Sequence, residues 1–172
     1  MSLPSRTRPE TRWRTQALGL AAWLLLAAAP AQAKRQVEAF DSQAWAQLQA
    51  SLKTPALVVF SSTDCGHCPA VLAQLAAAPE RKRQRAPLIA VVMDQAPGED
   101  DSGLLANPHY KRADRVFAFQ GQAAALRYSV DPGWRGITPY IALLRPGRPV
   151  QWVLGPPQAE DLAAWARSRP GQ

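Results

Sequence analysis

Two uninterrupted apolar runs, Ala56–Phe60 (ALVVF) and Leu88–Met93 (LIAVVM), restrict what this chain can fold into more than any other feature. A strand that faces water on one side alternates apolar and polar residues. A run with no alternation has to be covered on both faces, as parallel strands between two helical layers are. Between the two runs lies a helical pattern through Val71, Leu72 and Leu75. Strand, helix and strand in that order predict an α/β domain built on a parallel pair.

The flanking segments extend this frame. Gln36–Phe40 is a short extended stretch. Asp41 or Ser42 is placed to cap the helix that carries Trp45, Leu48 and Leu52 at i, i+3 and i+7, and Thr54-Pro55 ends it. The basic run Glu80–Arg85 reads as the solvated end of a helix, where Lys and Arg are favoured. Asp94–Asp114 is polar and holds Pro97, Gly98, Gly103 and Pro108, which predicts a long excursion from the core. Within it, Glu99-Asp100-Asp101 lacks the spacing of a calcium loop. Val116–Phe119 predicts an additional strand and Gln122–Tyr128 a short helix. The turn Asp131–Trp134 follows, with Trp134 either packed on the core or presented to a partner. Tyr140–Leu144, the turn Arg145–Arg148 and Val150–Leu154 form a hairpin, and Glu160–Arg167 is a last helix with Leu162 and Trp165 inward.

Residues 1–33 carry the pattern of an export signal. Arg6, Arg8, Arg12 and Arg14 precede an uncharged run, Ala17–Ala29, closed by Pro30 and the small-x-small end Ala31-Gln32-Ala33. That run is shorter than the roughly 20 apolar residues a membrane-spanning helix needs. The reading is a cleaved signal with a periplasmic or secreted domain over residues 34–172, and an uncleaved anchor is the alternative. Loss of residues 1–33 removes four basic and one acidic side chain and lowers the formal charge from +7 to +4. Such a charge gives nucleic-acid binding little support.

Both cysteines of the chain and one of its two histidines fall in Cys65-Gly66-His67-Cys68, directly after the first buried run. Haem attachment needs a histidine after the second cysteine, where Pro69 stands. Zinc needs four ligands, and His67 between the cysteines is badly placed to supply one. A bridge closing four residues stabilises by only about 2 kcal/mol, so it is a poor staple. At a helix N-terminus the same pair becomes chemically useful, because the partial positive charge there favours thiolate over thiol, and a protonated His67 adds to it. A thiol of pKa about 8.5 is roughly 3% ionised at pH 7, and one of pKa about 6 is roughly 90% ionised. Cys65 is the expected attacking sulfur, and Cys68, about one turn further and deeper, the resolving one.

With these elements in order, the chain resembles the thioredoxin superfamily. The resemblance rests on ALVVF, CGHC opening a helix, LIAVVM, and Gly136-Ile137-Thr138-Pro139 leading into a hairpin and final helix, and it covers most of residues 34–172. It implies a thioredoxin-like α/β fold, a central mixed sheet flanked by helices. The 74 residues separating Cys65 from Pro139 imply an insertion between the second core strand and the proline segment, similar to that of periplasmic thioredoxins of the cytochrome c maturation type. It further implies a cis Thr138-Pro139 bond facing the cysteines, with Thr138 pairing its backbone to an extended substrate. Gly66 and His67 then tune the potential, and the tetrapeptide is similar to that of protein disulfide isomerase. Two positions depart from the family: Asp64 where tryptophan is frequent, and Val59 where some members carry a buried acid. This leaves His67, Asp64 or water as proton acceptors for Cys68.

The implied function is thiol-disulfide exchange with protein substrates and with a membrane or periplasmic redox partner, without cofactor or metal and without nucleic acid. Two other classes compete. A copper chaperone of the Sco type is faintly similar through Cys68-Pro69 and His109, although its cysteines are spaced by three residues rather than two. A non-catalytic binding module on the same fold has no need to keep both CGHC and Thr-Pro. His109 itself reads as a surface loop residue.

Overall fold

The computed structural model describes residues 35–167, and the segment with the pattern of an export signal lies outside them. Six strands among the described residues form one sheet: β1 (Val37–Phe40), β2 (Ala56–Ser61), β3 (Leu88–Val92), β4 (Arg115–Phe119), β5 (Tyr140–Leu144) and β6 (Gln151–Leu154). Their order across the sheet is β1-β4-β3-β2-β5-β6. The four strands from β1 to β2 run parallel, and β5 and β6 are antiparallel to their neighbours. Helices α1 (Ala44–Ala50), α2 (Cys68–Ala77), α3 (Pro79–Gln84), α4 (Asp101–Ala106), α5 (Ala123–Val130) and α6 (Ala159–Arg167) complete the described chain. This mixed sheet, with helices on both faces and the cysteines at the end of its central strand, is a thioredoxin-like fold.

The apolar runs are buried on both sides because successive side chains leave the pleat in opposite directions. Leu57 and Val59 enter a core with Val71, Leu72, Leu75, Leu162 and Trp165, beneath α2 and α6. Ala56, Val58 and Phe60 enter a second core with Trp45, Leu48, Leu126 and Trp134, beneath α1 and α5. Leu88–Val92 divides in the same way.

The excursion predicted for residues 94–114 contains structure of its own. It holds α4 and a 3-10 turn, Tyr110–Arg112, and Leu104, Tyr110 and Ala113 pack into the first core. The additional strand β4 sits inside the sheet rather than at its edge, pairing with both β1 and β3. Two local departures have simple causes. The basic run is a separate helix because Ala78, preceding Pro79, is extended at ψ 124°, as the residue before a proline prefers to be. Within it Arg81 is not a solvated charge: its side chain is 16% exposed and paired with Asp114. As expected, Asp41 caps α1, from three residues before its first residue, accepting the Gln43 and Ala44 N–H groups at 2.9 Å each.

Trp165 closes the first core from α6. It is 1% exposed, and its indole N–H donates to the Leu144 carbonyl at 2.9 Å. Truncating Trp165→Ala should cost about 3 to 5 kcal/mol of folding free energy. Trp165→Phe keeps most of the packing and should cost about 1 to 3 kcal/mol through the lost hydrogen bond. Urea unfolding of both variants checks the ranking.

Candidate active site

The cysteines lie where β2 runs out of cover. After Ser61 the chain turns, with the Cys65 N–H donating to the Ser62 carbonyl and the Cys68 N–H to the Cys65 carbonyl, both at 3.3 Å. α2 begins at Cys68 itself, so Cys65 sits in the turn ahead of the helix and Cys68 is its first residue. Pro69 follows in the first turn, where its missing N–H breaks no helical bond. His67 is the N-cap and makes no side-chain cap.

Cys65 and Cys68 are joined in a disulfide with Cα atoms 5.4 Å apart. The two sulfurs differ in access. Cys68 opens the apolar stripe Cys68, Val71, Leu72, Leu75 and is 2% exposed, whereas Cys65 is partly exposed and Gly66 and His67 are exposed. A Cβ added at Gly66 would meet no atom within 4 Å. The approach to Cys65 is therefore open from the Gly66 side, and an external thiol or disulfide reaches Cys65 before Cys68.

The turn is fastened from outside its own sequence. Asp94, two residues past β3, accepts the Thr63 N–H through both oxygens at 3.0 and 2.9 Å and also takes the Thr63 hydroxyl. Ser62 Oγ donates to Asp64 Oδ1 at 2.6 Å. From the insertion, the Tyr110 phenol donates to the Ser62 carbonyl at 3.2 Å, and Ser61 Oγ lies 3.4 Å from the phenol oxygen as its donor. Burial pushes the Tyr110 phenol above its ordinary range, the Ser61 bond opposes this, and the Asp94 and Asp64 carboxylates reinforce it. In general a nearby carboxylate disfavours a thiolate and a helix N-terminus favours one.

The Thr138-Pro139 peptide bond is cis. β5 starts one residue later, and the pairing Phe60↔Tyr140 puts Pro139 at the same end of the sheet as Ser61. Pro139 is buried, Thr138 half-buried, and Ile137 is 58% exposed. Gly136 is at φ +86°, a conformation that favours glycine, and a Cβ there would lie 3.1 Å from the Arg127 side chain, which would have to give by a few tenths of an ångström. Beneath the segment, Trp134 stacks on Tyr140 at 4.8 Å and Tyr140 on Trp152 at 4.8 Å. Trp134 also meets Phe60 at 4.9 Å and donates its indole N–H to the Ile137 carbonyl at 2.9 Å. Trp134 thus packs on the core. The Tyr140 hydroxyl donates to Asp131, and burial first, then that bond, raises its pKa.

His109 is exposed, and its neighbour Tyr110 is buried instead. No group of three or more His, Cys, Asp or Glu side chains among the described residues is placed to hold a metal ion, so His109 and the cysteines do not form a common donor set. Val59 is fully buried among apolar side chains and brings no proton acceptor towards Cys68. Sequence reasoning missed Ser61, Asp94 and Tyr110. The signal for Tyr110 was present, since it is the sole Phe, Trp or Tyr between residues 94 and 114.

No protein-family model and no curated protein matches the chain. Three solved structures are similar to it. One is a secreted Mycobacterium tuberculosis disulfide oxidoreductase homologous to E. coli DsbE, with 12% identity over 66% of this chain and 80% of that one and a TM-score of 0.45. Another is the reduced N-terminal domain of PilB from N. meningitidis, with 22% identity over 70% and 84% and a TM-score of 0.48. The third is M. tuberculosis DsbF, with 14% identity over 69% and 82% and a TM-score of 0.45.

Tyr110 and Tyr140 both hold their protons above the ordinary value of 10.0. In the unfolded chain they ionise near that value, so the folded state binds more protons above it. The stability they contribute is fully present below about pH 10 and is lost as pH rises further. In a Tyr128→Phe background, phenolate absorbance should therefore appear together with alkaline unfolding, and a phenolate signal well before loss of the circular-dichroism signal would contradict this.

Proposed function

We propose that the protein is an exported thiol-disulfide oxidoreductase acting on protein thiols and disulfides. The observation that carries the proposal is the asymmetric pair at the end of β2: a partly exposed Cys65 ahead of the helix and a buried Cys68 at its first position. In the reducing direction the Cys65 thiolate attacks a substrate disulfide, forming a mixed disulfide and releasing one substrate thiolate. The Cys68 thiolate then attacks Cys65 Sγ, releasing the second substrate thiolate and closing the Cys65–Cys68 disulfide. Two electrons pass to the substrate, and a membrane or periplasmic dithiol partner restores them by the same exchange. Oxidation of a substrate dithiol is this sequence in reverse, and the potential of the couple against its partner sets the direction. Thr138 and Pro139, at the same end of the sheet, are the proposed contact for an extended substrate backbone. Export is supported by the basic, apolar and small-residue pattern of residues 1–33, and no helix among the described residues is long and apolar enough to cross a membrane.

Cys65→Ser should abolish exchange with glutathione disulfide. Cys68→Ser should accumulate a stable mixed disulfide at Cys65, seen as an added glutathione mass on the peptide containing it. Trapping on Cys68 instead would reverse the two roles.

His67→Pro tests the tuning role of the N-cap residue. His67 is exposed and at φ −94°, about 30° from the centre of proline's range and about 14° outside it, so the fold should tolerate the change with a small backbone adjustment. If the protonated form of His67 tunes the site, replacing it should raise the Cys65 pKa and make the couple more reducing, with about 30 mV for each 1.4 kcal/mol. Thiolate absorbance and equilibration with glutathione measure both, and an unchanged couple would remove His67 from the tuning set.

A further inference from the structure

We infer that Tyr110, supplied by the insertion, is a positioning residue for the attacking cysteine: its phenol holds the Ser62 carbonyl to which the Cys65 amide is bonded. This rests on the thiol-disulfide reading of the cysteine pair. Two donors converge on that carbonyl, the Tyr110 hydroxyl at 3.2 Å and the Cys65 N–H at 3.3 Å. The carbonyl therefore links a buried anchor directly to the residue that reacts. The anchor is rigid, since Tyr110 is 2% exposed in the core beneath α2, and the 3-10 turn that carries it is tied down by the Arg35 guanidinium, which donates to the Tyr110 and Ala113 carbonyls. Ser61, the fully buried last residue of β2, donates in turn to the phenol oxygen, which strengthens the phenol as a donor. The phenol remains protonated, because burial raises its pKa and the nearby Asp94 and Asp64 carboxylates add to that.

The chemical consequence has a definite sign. A donor on the Ser62 carbonyl offsets its negative end, which lies beside the Cys65 backbone. Without that donor the carbonyl presents more negative potential to a Cys65 thiolate and loses its buried anchor, leaving the turn to the Cys65 and Cys68 amides, the Ser62–Asp64 bond and the Asp94–Thr63 contact. The more negative potential disfavours the thiolate relative to the thiol and the disulfide. Tyr110 touches neither sulfur nor substrate and acts through the backbone of the turn.

The test compares the protein with Tyr110→Phe and Ser61→Ala. It reads the Cys65 pKa from thiolate absorbance, the equilibrium with reduced and oxidised glutathione, and the thermal midpoint. Tyr110→Phe should raise the Cys65 pKa and shift the glutathione equilibrium three- to tenfold towards the protein disulfide, about 14 to 30 mV more reducing. Ser61→Ala should move both readouts in the same direction by less, and it carries the test alone if Tyr110→Phe does not fold. A lowered thermal midpoint with wild-type pKa and wild-type equilibrium would make Tyr110 a packing residue only and overturn the inference. If the unsubstituted protein forms no reversible couple with glutathione, or if Cys68 is alkylated first, the oxidoreductase reading itself fails, an outcome distinct from unshifted variants of an active protein.

Discussion

Everything in the fold depends on β2 being covered on both faces. An unbroken Ala-Leu-Val-Val-Phe strand is costly anywhere except between two apolar layers, and burial of each large side chain contributes about 1.5 to 3 kcal/mol once the layers are present. The two layers therefore have to be built, α2 and α6 on one side and α1 and α5 on the other. The strand can end only where cover ends, at Ser61, the one polar side chain in the fully buried set among the described residues. Reactive chemistry requires access and structure requires burial. The pair straddles that boundary, with Cys68 on the buried side and Cys65 just outside.

No single charge dominates at Cys65. A helix N-terminus contributes about 0.3 to 1 kcal/mol to a nearby anion at an exposed site, and each carboxylate opposes it by an amount that solvent and salt reduce. Asp64 and Asp94 are both exposed, and Asp94 spends its oxygens on Thr63. Terms this close in size are decided by position. Three contacts, from Asp94 just after β3, from Tyr110 of the insertion and from Ser61 of β2 itself, converge on residues 61–65 and the Tyr110 phenol that holds them.

The parts legible in the sequence were those with periodic or local signals. Uninterrupted apolar runs specified β2 and β3, the spacing of Trp45 and Leu48 and of Leu162 and Trp165 specified the first and last helices, and the Pro-Gly turn marked the hairpin. The insertion was the least legible. Its hydrophobic content is thin, and β4 is a five-residue strand whose place inside the sheet depends on partners at residues 37–40 and 89–92, which no local pattern encodes. For the same reason the site was half visible. Cys65, Cys68, Thr138 and Pro139 stand out as motif residues, but Asp94 and Tyr110 act from 31 and 48 positions away along the chain. A tyrosine in a polar segment is an ordinary residue until its hydroxyl is found to have a partner.

The interior position of β4 also bears on the order in which the molecule can assemble. Among the described residues, β1 is bonded to β4 alone, with Val37 opposite Val116. The strand nearest the N-terminus thus waits for a partner 79 residues later before it has any place in the sheet. Closing so long a loop is entropically expensive and slow compared with forming local helices. A chain that emerges N-terminus first can pair β2 with β3 early, yet it keeps β1 and the exposed edge of β3 unsatisfied until the insertion has been delivered. Residues 94–119 are accordingly no ornament on a smaller domain: excising them would separate β1 from the sheet and leave a bare parallel edge, the kind of surface on which unfinished chains aggregate.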